Sequence, residues 1–206
     1  PLPRIYGAYN EGIHISDVTM VVEGHDNEVP TVASKTPSAE DIAIANNVLP
    51  YIVDGSTLQL GIGGTPDALG SILAQSDLKD LGMHTEFATD AFYKLFAAGK
   101  ITNRCKTRDR NKAVFGIGAG TQALYDWIDW NPGVAAYPIS YVNDVNVVAS
   151  IDNFISLNSC VGIDLYGQVS SESSGTRQIS GSHREMPDQT AILAEQASVP
   201  DRFRKK

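Results

Sequence analysis

Short apolar runs alternate along this chain with segments whose apolar residues recur at helical spacing. The runs at 57–60 and 112–118 predict buried strands. The run at 134–142 is interrupted by Pro138, which predicts an edge strand or a bend. The segment 154–169 predicts paired strands. Because strands and helices alternate, the pattern indicates an α/β layer fold with an open, mostly parallel sheet and flanking helices.

Four amphipathic helices are predicted between these strands. Ser38 is expected to cap the first, which carries Ile42 on its apolar stripe and ends or kinks at Pro50. The second is expected to follow the glycine-rich turn. The other two are predicted at 90–100, with Phe96 facing inward, and at 121–131. A short strand is predicted within the irregular N-terminal stretch, at 18–22.

The strongest chemical signal is a glycine-rich turn followed, one helix later, by a single acidic residue. The turn Gly61–Gly64 has little side-chain bulk, and Thr65 is expected to cap the helix behind it, with Pro66 as its first residue. Free N–H groups at such a helix start favour an oxyanion or a phosphate. Glu86 lies at the end of the next strand. Since parallel strands end at one edge of a sheet, we expect the turn and Glu86 to face one crevice.

These residues alone leave simpler interpretations open. A lone glutamate at a strand end is more often a solvated residue, and a glycine turn is common in ordinary α/β domains. Pro66 stands where a dinucleotide fingerprint has its third glycine, so we predict no nicotinamide site. His84 shares a strand face with Glu86, but no third ligand is evident, so we predict a hydrogen-bonded neighbour and no metal site.

The composition of the chain limits the classes of binding partner to be expected. The 206 residues carry 24 acidic and 16 basic side chains, for a net charge of -8, which disfavours nucleic acid. Cys105 and Cys160 form neither a disulfide framework nor a zinc spacing, so we expect reduced thiols and a cytoplasmic protein. No apolar run approaches the length of a membrane span, so we expect no membrane partner.

An ordered set of motifs makes the chain recognisable. The motifs are GIGGTPDAL, GMHTEFATD, ITNRCKT, NPGV, YVND, LNSC, DLYGQVSSES and QISG. In order and spacing, from about Ile5 to Gly181, they resemble the acetyl-CoA hydrolase/transferase family, and within it the 4-hydroxybutyrate and butyrate:acetate CoA-transferases.

The resemblance implies a CoA-transferase-type (NagB/RpiA-like) fold and a specific chemistry. Glu86 is the implied nucleophile, which carries CoA as a glutamyl thioester between a short-chain acyl-CoA (butyryl, 4-hydroxybutyryl or acetyl) and a carboxylate such as acetate. CoA is then a substrate and not a permanently bound cofactor. The residues expected to contact CoA are Gly61, Ile62, Gly63, Gly64, Thr65, Val161 and Gly181.

The resemblance also implies that the chain is incomplete. Residues 1–35 are expected to be an arm from a missing N-terminal domain, and 36–181 the C-terminal-type catalytic domain. Residues 182–206 form an atypical tail that lacks the glycine loop expected after Gly181. We expect a homo-oligomer at full length and an N-terminal CoA-transferase domain acting in trans. Two alternatives stay open, an acetyl-CoA hydrolase and an inactive fragment that binds at most CoA or a partner.

Overall fold

The computed structural model describes residues 3–5, 13–24, 28–34 and 36–179. Its main feature is a five-stranded sheet with the order β4-β3-β2-β1-β5, in which every pair of neighbours is parallel. The predicted α/β class and the mostly parallel sheet are therefore confirmed. The strands are β1 (Thr57–Leu60), β2 (Gly82–Ala88), β3 (Ala113–Gly118), β4 (Val134–Ala136) and β5 (Phe154–Leu157).

Helices cover both faces of this sheet. The larger core joins Leu58 and Phe115 to α1–α4, while Val114 on the opposite face packs with Val142 of α5. No helix within the described ranges is long and apolar enough to cross a membrane. The helices are α1 (Ala39–Val48), α2 (Gly64–Gln75), α3 (Asp90–Ala97), α4 (Gln122–Ile128), α5 (Ile139–Val142) and α6 (Val145–Ala149), with 3-10 turns at Ile15–Asp17 and Leu49–Tyr51.

The predicted start of α1 is confirmed in detail. The Ser38 hydroxyl accepts a hydrogen bond from the Asp41 backbone, and the Asp41 carboxylate accepts one from the Ser38 backbone. The helix ends at Val48, before Pro50. Its predicted stripe is only partly correct, because Ile42 is 45% exposed and Ala45 is the residue of α1 that is fully buried.

Phe96 of α3 was expected to face inward, and this prediction is wrong. The side chain is 43% exposed and lies against the Trp127 ring of α4, with 5.0 Å between ring centroids. Phe92 and Leu95 fill the core positions of this short helix, which leaves Phe96 at its rim.

The prediction of a strand over 134–142 holds only for its first part. β4 is an edge strand, as Pro138 suggested, but residues 139–142 form α5. Pro138 precedes this helix as its N-cap residue, and proline at a helix start removes no helical hydrogen bond. A further helix, α6, was not predicted. The Asp144 carboxylate caps it by accepting from the backbone N–H groups of its first turn.

The sequence predicted that the segment 154–169 forms strands paired with one another, and this is only partly correct. Its first part, β5, pairs with β1 in the main sheet. Two small antiparallel hairpins follow, β6 (Gly162–Ile163) with β7 (Val169–Ser170), and β8 (Ser173–Ser174) with β9 (Arg177–Gln178).

The described residues of the N-terminal stretch lie against the domain and outside its sheet. Contrary to prediction, residues 18–22 form no strand. The Arg4 backbone N–H donates to the Asp129 carboxylate at 2.6 Å, and the Val32 N–H donates to the Gly120 carbonyl at 2.9 Å. Segments of this stretch are thus anchored at both ends of α4.

Candidate active site

The carboxyl ends of β1 and β2 bring the glycine turn and Glu86 to the same edge of the sheet. Thr57 pairs with Gly82 and Leu58 with Met83, and the same parallel offset places Gly61 level with Glu86. The Thr85 hydroxyl also donates to the Leu60 carbonyl at 3.3 Å, across these two strand ends. The turn and Glu86 therefore lie side by side at this edge, as the sequence predicted.

Glu86 is half-buried between two glycines. On one side its neighbour is Gly61, directly after β1. On the other side its neighbour is Gly116 of β3, because the residues that flank Glu86 pair with the residues that flank Gly116. Because neither glycine has a side chain, nothing from the adjacent strands covers the carboxylate at its own level. A Cβ on Gly116 would overlap the Ile139 side chain of α5. The glycine at this position leaves room for the Ile139 side chain where α5 approaches the sheet.

One oxygen of Glu86 is held in place by a residue that the sequence analysis did not single out. The side-chain amide of Asn143 donates to Glu86 Oε2 at 2.9 Å. Among the described residues, Oε1 has no hydrogen-bond donor. Asn143 follows α5 directly, so the packing of α5 on the sheet sets the direction of the Glu86 carboxylate.

His84 points to the same face as Glu86 and binds the same segment. Its Nε2–H donates to the Val142 carbonyl at 2.8 Å, which leaves Nδ1 unprotonated. That nitrogen is buried and has no partner in the described part of the chain. Burial lowers the pKa of His84 to about 4, against the opposing effect of the hydrogen bond to Val142. The imidazole is therefore neutral at pH 7 and helps to fasten α5. No cluster of three or more metal-ligating side chains occurs among the described residues.

Thr65 is not the N-cap of α2, contrary to prediction. Gly63 is the N-cap, with φ at 135°, a conformation that favours glycine, and the helix begins at Gly64. Pro66 lies within the first turn, where a missing N–H removes no helical bond. The Thr65 hydroxyl donates to Asp41 Oδ1 of α1 at 2.6 Å, so Thr65 joins the two helices.

Asp41 also occupies the space beside Gly64. A Cβ on Gly64 would overlap the Asp41 carboxylate, so the glycine there serves the contact between α1 and α2. The hydrogen bond from Thr65 lowers the pKa of Asp41, which keeps the carboxylate ionised near the start of α2. The part of the turn that stays accessible is Ile62, which is 57% exposed, and Gly63, beside which a Cβ would meet open space.

The other two predicted CoA contacts lie further along the chain. Val161 is partly exposed just before β6, and its N–H donates to the Ser170 carbonyl at 2.8 Å. It follows Asn158 by three residues, and a Cβ on Gly61, at the start of the glycine turn, would lie 2.8 Å from Asn158 Oδ1. Gly181, like the tail at 182–206, lies outside the described residues.

A buried lysine is hydrogen-bonded to the backbone of β2 near the site. Lys106 is 3% exposed, and its Nζ donates to the Met83 carbonyl at 2.9 Å and the Lys112 carbonyl at 2.7 Å. Burial lowers the pKa of Lys106 to about 7. Lys106 therefore joins the loop before β3 to β2, three residues before Glu86.

A separate cleft of about 380 Å³ lies beside α5 and α6 and contains none of the predicted site residues. It is lined by Arg108, Ser140, Tyr141, Asp144, Asn146 and Val147.

Comparison with known proteins supports the resemblance that the motifs indicated. Residues 120–188 match the family described as acetyl-CoA hydrolase/transferase C-terminal domain. The chain is 48% identical over 180 residues to a probable butyrate:acetyl-CoA coenzyme A-transferase of Syntrophomonas wolfei. This match covers 87% of the chain and 40% of that protein. It is also 48% identical over 181 residues to the butyryl-CoA:acetate CoA-transferase of Anaerostipes caccae, covering 87% of the chain and 41% of that protein.

Solved structures agree with this result. RipA from Yersinia pestis superposes with a TM-score of 0.76 at 34% identity, over 82% of this chain and 38% of that one. A 4-hydroxybutyrate CoA-transferase from Porphyromonas gingivalis superposes with a TM-score of 0.70 at 38% identity, over 81% and 41%. The chain thus spans about 40% of the length of the curated relatives that it matches.

Proposed function

We propose that this chain is the glutamate-bearing part of a CoA-transferase. It matches the acetyl-CoA hydrolase/transferase C-terminal domain over residues 120–188, and two CoA-transferases over 87% of its length. It transfers CoA from a short-chain acyl-CoA to a carboxylate such as acetate. The observation that carries this proposal is the Glu86 carboxylate, oriented by Asn143 beside an accessible glycine turn at the carboxyl edge of the sheet.

Glu86 acts as the nucleophile. Its carboxylate attacks the thioester carbonyl carbon, the C–S bond breaks, and the products are a mixed anhydride on Glu86 and a free CoA thiolate. The thiolate then attacks the side-chain carbonyl of Glu86, which releases the acyl group as a carboxylate and leaves a glutamyl-CoA thioester. The acceptor carboxylate reverses these two steps. It forms an anhydride with Glu86, takes CoA as the new thioester, and frees the glutamate.

Asn143 positions the nucleophile. Because its amide holds Oε2, the carboxylate presents Oε1, which has no donor within the described chain. A fixed carboxylate loses less rotational freedom when it attacks, and this contributes to the rate.

The accessible part of the glycine turn supplies the electrostatic component. Negative charge develops on the thioester oxygen as Glu86 attacks. Ile62 is exposed and Gly63 borders open space, so the backbone N–H groups of these two residues are the proposed donors to that oxygen. Gly64 and Thr65 act mainly through Asp41, by setting the start of α2. Val161 and Gly181 complete the predicted contacts to CoA, which is a substrate in this account.

The length of the relatives suggests that activity needs more chain than this sequence contains. In this proposal residues 1–35 lead in from an N-terminal domain, 36–181 form the catalytic part, and 182–206 are an atypical tail. A fragment that is inactive alone and active with the remainder of the protein fits the 40% coverage.

The proposal is tested by incubating the chain with butyryl-CoA and acetate and measuring acetyl-CoA by chromatography. The assay is run on the chain alone and with the remaining part of the Syntrophomonas wolfei relative supplied in trans. Acetyl-CoA formation that is lost in Glu86→Gln supports the proposal. Release of free CoA without acetyl-CoA indicates a hydrolase instead. No turnover under either condition, from a folded chain, contradicts the assignment.

A further inference from the structure

Three polar side chains connect the ends of β1 and β5 on the face of the sheet that carries Glu86. Gln59 pairs with Ser156 in the parallel register of β1 with β5, and Asn158 follows the last paired residue of β5. The register of β1 with β2 places Gln59 level with His84, which lies on the same face as Glu86. The three side chains are therefore neighbours of the candidate active site and not part of the larger core.

Gln59 and Asn158 form a reciprocal amide pair. Gln59 Nε2 donates to Asn158 Oδ1 at 3.1 Å, and Asn158 Nδ2 donates to Gln59 Oε1 at 2.9 Å. The Ser156 hydroxyl also donates to Gln59 Oε1. Gln59 is 8% exposed, so its amide depends on these bonds in place of water. Each amide fixes the orientation of the other.

The pair reaches the first glycine of the turn. A Cβ on Gly61 would lie 2.8 Å from Asn158 Oδ1, so a larger residue would displace the Asn158 side chain. The Gly61 N–H donates to the Leu157 carbonyl at 2.8 Å, which extends the β1–β5 ladder past the end of β1. Gly61 thus has a structural reason to be glycine that does not depend on any ligand.

We propose that Gln59 and Asn158 are positioning residues that hold the glycine turn against the segment 158–161. The pair sets the spacing between the accessible backbone of Ile62 and Gly63 on one side and Val161 on the other. Its consequence for CoA rests on the proposed function, since those residues are the predicted CoA contacts. The mechanical coupling of the two segments is independent of that function.

Hydrogen exchange measured by mass spectrometry tests the coupling without ligand. Gln59→Met keeps the side-chain length and removes the amide, and Gln75→Met makes the same change at an exposed position at the end of α2. The Gly61 and Val161 N–H groups are both hydrogen-bonded and serve as reporters. We expect exchange in peptides covering 61–65 and 158–161 to be about tenfold faster in Gln59→Met, and unchanged in Gln75→Met.

The reciprocal variant makes the test decisive even if Gln59→Met does not fold. Asn158→Ala alters an exposed residue on the β5 side and is read at 61–65 on the β1 side. Faster exchange there supports the inference. Unchanged exchange at 61–65 in folded Asn158→Ala, or at 158–161 in folded Gln59→Met, overturns it.

Repeating the exchange with butyryl-CoA separates the two proposals. Protection of both segments in the parent chain that is weaker in Asn158→Ala supports the role in CoA binding. No protection in the parent chain counts against CoA binding by this chain alone, while the ligand-free comparison still decides whether the amide pair couples the segments.

Discussion

Lys106 gives a prediction whose size follows from the structure. Its ammonium group is buried and donates to two backbone carbonyls, and the ion pairs found in the described part of the chain, Lys79–Asp54 and Arg104–Asp80, do not include it. The pKa of Lys106 falls from 10.5, the ordinary value of a lysine, to about 7 in the fold. The unfolded chain therefore binds more protons than the folded chain between these two pH values.

Stability must rise with pH wherever the unfolded state binds more protons. Each pKa unit corresponds to about 1.4 kcal/mol, so the complete window between pH 7 and 10.5 corresponds to about 5 kcal/mol. Between pH 7 and 9 the folded lysine loses its proton while the unfolded lysine keeps it. The free energy of unfolding should therefore increase by about 2 kcal/mol from this residue over that range.

The assay compares urea denaturation of the parent chain and Lys106→Met at pH 7, 8 and 9. Methionine retains an apolar stem beside Gly82, so the comparison isolates the charge as far as one substitution allows. Other titrating groups act equally in both proteins and cancel. The parent chain should gain about 2 kcal/mol relative to the variant between pH 7 and 9. A constant difference across this range would mean that Lys106 titrates at its ordinary value in the fold, contrary to this prediction.

Three further predictions concern the site. The pKa of His84 is about 4 in the fold against an ordinary 6.5, so the free energy of unfolding decreases as the pH falls through this range. His84→Gln should reduce the decrease between pH 7 and 5 by about 2 kcal/mol, measured by denaturation. Gly64→Ala should destabilise the chain by about 1–3 kcal/mol, because the alanine Cβ would overlap the Asp41 carboxylate. This destabilisation should be smaller when Asp41 is also replaced by alanine. An equal destabilisation with and without Asp41→Ala would exclude the overlap as the cause. Asn143→Ala should slow formation of the Glu86 thioester about tenfold or more with an unchanged melting temperature, and an unchanged rate would remove Asn143 from the mechanism.

The parts of the fold that could be predicted are those where local sequence and tertiary packing favour the same structure. The strand at 57–60 is fully buried and carries Leu58 and Leu60 in the core, and its limits were predicted correctly. Ser38 and Asp41 form a local capping box that uses four consecutive residues, which makes the start of α1 visible without any tertiary contact.

The errors occur where distant contacts decide the outcome. Residues 139–142 are apolar and β-branched enough to suggest a strand, yet they form α5, and Ile139 packs against the sheet beside Gly116. Thr65 is a residue type common at N-caps, but its hydroxyl donates to the Asp41 carboxylate of α1. Gly63, with its positive φ, is the N-cap residue, so the helix begins one residue before Thr65.

Only the glycine turn and Glu86 could be placed in the candidate site from the sequence. The glycine turn and Glu86 belong to one strand–helix–strand unit, and parallel topology alone places them at one edge. Asn143 lies 57 residues after Glu86, and Asn158 lies 99 residues after Gln59. Their segments, YVND and LNSC, were visible as motifs, but polar residues at loop positions give no signal for the partner that they contact.

If Glu86 is the nucleophile, it forms a covalent thioester with CoA, and this species can be trapped chemically. The chain, alone and with the remainder of the Syntrophomonas wolfei relative, is incubated with butyryl-CoA, treated with borohydride, digested and analysed by mass spectrometry. Borohydride reduces a glutamyl thioester to an alcohol and so marks its position. We expect a modification at Glu86 that requires butyryl-CoA and is absent in Glu86→Gln. A modification at another residue, or none under either condition from a folded chain, would contradict it.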